Sequence, residues 1–186
     1  ELDAFWSILL MGVTTGFTAW LVHLSVSQLT TVRMSNLLMA FVGIGTLTSM
    51  VTASDSEWWR THFSHLGTFS DLSSLLFNGT LVVGGLLVMA FAIYVSNDIR
   101  RRVASGDLLE ERSPRFVATM FVTMGVMLAG VGLVPVNLSL LIHNLCASGL
   151  AVAYIALLVS GPRMLRGLPR AYFLASWLFL AAVVVS

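Results

Sequence analysis

The residues of this chain best suited to chemistry are histidines. His62 and His65 lie three apart in the polar segment from Asp55 to Asp71, so one helical turn would put both on one side. His143, followed by Asn144, falls one or two turns inside a later apolar run. Neutral imidazoles and a carboxylate are proper zinc ligands, and an open position would hold an activated water. One reading of His62, His65, His143 and Asp71 is therefore a zinc site that hydrolyses a lipid. The spacing does not require it, because there is no His-Glu-x-x-His and no intramembrane histidine pair at i, i+4. The other reading is a hydrogen-bonded cluster of His62, His65, Asp71, Asn78, His143 and Asn144 that pins the polar segment to the helices beside it. His23 lies at the opposite end of its run and reads as an interfacial residue.

Other chemistries have less support. Ser64, Ser70, Ser73 and Ser74 lie near the histidines, but no nucleophile elbow surrounds them. No glycine loop able to cradle phosphate is present. Cys146 is the only cysteine, which excludes an internal disulfide and a cysteine metal site; in its apolar run it reads as a packed thiol. Asn78-Gly-Thr and Asn137-Leu-Ser match the glycosylation pattern but fall in or against apolar runs.

The elements that must position these residues follow from composition. The chain has 186 residues, 57% hydrophobic and only 10% charged, with a mean hydropathy of +0.90. A soluble domain carries roughly 25% charged residues, so lipid is the expected solvent. A spanning helix needs about 20 mostly apolar residues. Six segments meet or approach that length, at about 4–24, 34–52, 72–96, 114–134, 138–160 and 169–186. The first lacks a basic leader and a small-residue cleavage site, so it reads as a span rather than a signal peptide. The expected fold is all-α: one polytopic membrane domain over residues 1–186, a six-transmembrane-helix bundle.

Local punctuation fits these spans. Ser70 or Asp71 is placed to cap the third, and Ser113-Pro114 to open the fourth with proline in the first turn. Gly161-Pro162 should end the fifth, and Pro169 should open the sixth. Pro135 sits in a short link that makes spans four and five antiparallel neighbours. Gly12 and Gly16 form a GxxxG pair, and Gly84 and Gly85, with Gly43, Gly45, Gly125, Gly130 and Gly132, add small residues where helix backbones can approach.

Arginine sets the expected orientation. Arg100, Arg101, Arg102, Arg112, Arg115, Arg163, Arg166 and Arg170, with Arg33, fall on one side of a six-span chain. That side should be cytoplasmic in the plasma membrane of a prokaryote. Segment 53–71, with Arg60 and the interface-seeking Trp58 and Trp59, should lie outside, against the headgroups. The arginine-rich loops read as topology determinants rather than as an anionic-lipid site. No nucleic-acid module is present.

No Asp, Glu, Lys or Arg lies in the middle of a span, which argues against a proton-coupled carrier. The leading expectation is a non-catalytic protein that binds lipid or another membrane protein at its outer-leaflet face. The metal-dependent lipid hydrolase is the alternative. A small carrier or channel, resting on Thr46, Thr48 and Ser49 in the second span, comes last.

Two stretches carry a resemblance. His65-Leu-Gly-Thr followed by Ser74-Leu-Leu-Phe-Asn-Gly-Thr-Leu-Val-Val-Gly-Gly-Leu resembles the S-x-L-G … F-N-x-x-L-x-x-x-G pattern of a prokaryotic membrane family of unknown function, the DUF998 type. Gly130-Val-Gly-Leu-Val-Pro-Val-Asn-Leu-Ser-Leu-Leu-Ile-His143-Asn is similar to its second pattern, a glycine-rich span, a proline and a histidine early in the next helix. The likeness covers the third to fifth spans. It implies six helices and a functional outer loop, and it brings no established activity. The family's layout is similar to the Frag/DRAM/Sfk group, which is associated with lipid anchors and lipid distribution. His65 stands where that family often has asparagine. The ceramidases and adiponectin receptors are more distant, and their paired histidines in one helix are missing here.

Overall fold

A computed structural model describes residues 12, 16, 29–55, 57–68, 71–106, 111–165 and 170–185. Among the described residues the fold is all-helical, with helices α1 (Thr31–Val51), α2 (Leu72–Ala104), α3 (Ser113–Leu133), α4 (Leu140–Met164) and α5 (Arg170–Val185). Four of these, α1 to α4, are long and apolar enough to cross a membrane. They correspond to the second to fifth expected spans, and α5 occupies most of the sixth. The first expected span lies outside the described residues apart from Gly12 and Gly16, which are helical and exposed.

The long helix α2 organises the bundle. It packs on α1 along one side and, most extensively, on α3 along the other; α4 then packs on α3 and α5 on α4. At 1.5 Å per residue its 33 residues extend roughly 50 Å, against a hydrocarbon core of about 30 Å. The helix therefore does not stop with its apolar run at Ser96. It continues through Asp98 and Arg100–Arg102 to Ala104, because backbone hydrogen bonding continues at headgroup level whatever the side chains are. Gly106, with φ 80°, turns the chain out of the helix.

Adjacent glycines let α2 serve two neighbours. A Cβ on Gly84 would meet Val42 of α1 at 3.1 Å. A Cβ on Gly85 would meet the Gly125 carbonyl and, at 2.7 Å, the Ala129 amide of α3. A Cβ on Gly132 would lie 2.6 Å from the Asn78 carbonyl. The α2–α3 seam is thus backbone against backbone. Among the described residues nothing lies within 4 Å of a Cβ added at Gly12 or Gly16. Two apolar clusters flank the seam. One joins Ile99, Val117, Leu157 and Leu165 at the arginine-bearing end, and the other joins Leu66, Phe77, Leu81 and Val131 at the opposite end.

Two expected boundaries shift. Arg112, not Ser113, is the N-cap of α3, and it makes no side-chain cap. The Ser113 hydroxyl is used instead to donate to the Met164 carbonyl, tying α3 to the end of α4. Helix α4 does not end at Gly161-Pro162. It runs to Met164, because a proline in the last turn deletes only one bond of the ladder, and the Leu165 amide still closes on the Gly161 carbonyl at 2.8 Å. Asn137 precedes α4, and Ser139 caps it, accepting from the Ile142 amide.

Candidate functional site at the loop end

The chain between α1 and α2 folds back onto the bundle. It forms two short 3-10 turns, Trp58–Arg60 and Phe63–Gly67. Leu66 is fully buried and supplies the apolar contact, packing in the cluster of Phe77, Leu81 and Val131 with Trp58 against it. Polar side chains of α2 fix the register. The Gly67 carbonyl accepts from both the Ser74 hydroxyl and the Asn78 amide, each at 2.9 Å. A Cβ on Gly67 would stand 2.5 Å from Asn78 Oδ1, so this approach requires glycine. Lower in the junction, the buried Ser49 hydroxyl of α1 donates to the Ser73 carbonyl at 2.8 Å.

Asp71 is the N-cap of α2. One carboxylate oxygen accepts from the Ser74 amide at 3.1 Å and the Ser73 hydroxyl at 2.9 Å, and the other from the Ser54 hydroxyl at 2.6 Å. These donors, the Ser54 hydroxyl foremost and then the Ser74 amide, hold its pKa down from 3.8 to about 2. A carboxylate depressed on folding contributes stability above its unfolded value and loses it as the pH falls through the folded value. Acidification from about pH 4 to 2 should therefore loosen the attachment of Ser54 to α2, while Asp71→Asn should show no transition in that window. Protease access to the loop, followed against pH, measures this. Identical profiles for the two proteins would remove Asp71 from that role.

The other expected site residues separate into local pairs. His62 Nδ1 faces the Ser64 hydroxyl at 3.1 Å, and its ring meets His65 edge-on at 5.7 Å between centroids. His65 Nδ1 faces the Thr68 hydroxyl at 3.2 Å, with Nε2 3.8 Å from Asp55. His143 is buried in α4, with Nδ1 2.9 Å from the Val134 carbonyl at the end of α3. A carbonyl only accepts, so Nδ1 carries the proton and the ring staples the α3–α4 turn. Asn137 reaches the Thr68 carbonyl at 3.4 Å and links that turn to the loop. The Asn144 side chain is exposed on α4 and has no hydrogen-bond partner among the described residues. His62, His65, His143 and Asp71 are not gathered as one ligand set. Among the described residues no three His, Cys, Asp or Glu groups are placed to share a metal ion. The hydroxyls of Thr46 and Thr48 turn back to the carbonyls of Val42 and Ile44, each at 2.7 Å.

Outward, the loop is aromatic. Phe63 stacks edge-on against Phe77 at 5.2 Å and near Trp58 at 6.4 Å, yet half of it stays exposed. Trp59 is more exposed still, with the Arg60 guanidinium 5.3 Å above its ring and Arg60 paired to Glu57 at 3.2 Å. Sequence reasoning gave no separate role to Gly67, Ser54 or Thr68, which act through the Gly67 and Thr68 carbonyls and the Ser54 and Thr68 hydroxyls. Ser74 and Asn78 were accessible as an i, i+4 polar pair at the start of an apolar helix. Comparison with known protein families, with curated proteins and with solved structures finds no match to this chain.

Proposed function

We propose that this is a non-catalytic membrane protein whose docked loop engages lipid at the outer-leaflet face. The observation that carries this reading is where the polar groups go. Asn78 and Ser74 are used on Gly67, Asp71 on three serines and His143 on Val134, while Trp59 and Phe63 stay exposed on the base these bonds create. A reaction centre needs polar groups aimed at a substrate; this arrangement aims them at its own backbone and leaves apolar rings outside. Aromatic rings of that kind settle at the membrane–water boundary. In this reading the arginine-bearing end faces the cytoplasm of a prokaryotic cell, segments 4–24 and 169–186 complete six spans, and the likeness to the DUF998-type family extends to its outer loop.

The experiment is a Trp59→Ala, Phe63→Ala double variant of the purified chain. It should keep the helical spectrum, lose no more stability than the ~1 kcal/mol of the Phe63–Phe77 contact, and retain at least tenfold less co-purifying phospholipid, since each ring contributes ~1.5–3 kcal/mol when removed from water and tenfold is ~1.4 kcal/mol. Unchanged lipid with loss of a cross-linked neighbouring protein would replace lipid by a protein partner. No change in either would end the proposal.

A further inference from the structure

The arginine-bearing end holds a second feature that the loop-end reading does not use. A half-open cavity of about 280 Å³ lies among α2, α3 and α4. Its walls are Phe91, Val95, Ile99, Val117, Phe121 and Leu157, with the Phe91 and Phe121 rings edge-to-face at 5.2 Å. An apolar cavity of about 150 Å³ already accepts benzene, so this one has room for part of an alkyl chain. The lining atoms of an unfilled void lack partners on one side, and in a bilayer the abundant filler is an acyl chain.

Polar groups stand only at its mouth: Thr31 of α1 with Asp98 and Arg102 of α2. A wider polar recess lined by Asp98, Arg101, Arg102 and Ser105 continues from there. The Thr31 hydroxyl donates to the Asp98 carboxylate, while among the described residues neither Arg101 nor Arg102 is ion-paired. The mouth and the recess that continues from it thus carry the Arg102 and Arg101 guanidiniums, neither ion-paired among the described residues, against one carboxylate. Phe91 lies about 10 Å deeper along α2 than Asp98, at 1.5 Å per residue. Charge therefore sits at headgroup level and apolar wall at acyl level, the order found in an anionic phospholipid.

We propose that this cavity holds one acyl chain of an anionic phospholipid from the adjacent leaflet, its phosphate bound by Arg101 and Arg102. Arginine suits phosphate because its planar fork donates two parallel hydrogen bonds. The full chain in detergent, titrated with dioleoyl phosphatidylglycerol or dioleoyl phosphatidylcholine and read by native mass spectrometry, tests it. Phosphatidylglycerol should be retained at least fivefold more tightly, and Arg102→Gln should erase about that factor, the equivalent of ~1 kcal/mol for one arginine at the surface. Val95→Trp, which fills the cavity, should lower retention of both lipids, with its helical spectrum and melting temperature checked in parallel. Should that variant not fold, the Arg102→Gln comparison decides alone. Equal retention of the two lipids, or no effect of Arg102→Gln, overturns the proposal. So does displacement of the lipid by glycerol phosphate alone, which would mean that the headgroup binds without the chain.

Discussion

Leucine in place of Gly125 should be the most damaging single substitution in the bundle. A Cβ there would lie 2.6 Å from the Gly85 carbonyl and from Met89 Cγ, and 3.1 Å from the Met89 amide. Two of those three neighbours are α2 backbone and cannot turn aside as a flexible side chain would. The helices must separate along the seam, and with them the Gly132–Asn78 contact about two turns further along. Overpacking of this kind costs about 3 kcal/mol, and the loss should appear as a lowered melting temperature in detergent. Gly79→Ala is the control. Nothing lies within 4 Å of its added methyl, so it should be neutral or gain up to ~1 kcal/mol from helix propensity. Equal melting temperatures for the Gly125 and Gly79 variants would show that α2 and α3 do not depend on backbone contact.

How much of this was legible depended on what each feature is made of. Hydropathy alone located α1, α3 and α4 closely, because a spanning helix must be apolar for its whole length. It misjudged the end of α2, since the arginines that close an apolar run do not break a helix. It marked Gly84 and Gly85 as packing residues but not their division of labour, because which neighbour a glycine faces depends on the rotation of its helix within the bundle. The site was harder to read. Side-chain type suggested a convergence of histidines, whereas most of the bonds at this end terminate on carbonyls: those of Gly67 and Thr68 hold the loop, that of Ser73 joins α1 to α2, and that of Val134 closes the α3–α4 turn. Every residue has a carbonyl, so the sequence carries no mark of the ones that are used. His143 was singled out correctly as a residue with a polar task, but its partner is the turn beside it and not the loop histidines.

Removing both donors from the Gly67 carbonyl should cost more than the two single losses together. Ser74→Ala leaves the Asn78 amide on that oxygen, and Asn78→Ala leaves the Ser74 hydroxyl, so each single variant forfeits about 1 kcal/mol. The double variant leaves a carbonyl beside the fully buried Leu66 with no donor, in a place too enclosed for easy hydration. An unsatisfied buried acceptor adds roughly 1–3 kcal/mol, so the double variant should lose about 3–5 kcal/mol. The readouts are the unfolding midpoint in detergent and cleavage of the chain between residues 57 and 68. A purely additive cycle would mean that water or a relaxed backbone replaces the donors and that the pair does not fix the loop. The same cycle separates scaffold from surface. Undocking the loop should reduce lipid retention and stability together, since Trp59 and Phe63 lose their base. Removing the two rings should reduce retention with little change in stability, about the ~1 kcal/mol of the Phe63–Phe77 contact. If the double variant undocked the loop yet kept its lipid, the aromatic face would be irrelevant to binding, and the lipid retained would have to be held elsewhere, with the arginine-lined cavity at the opposite end the first place to look.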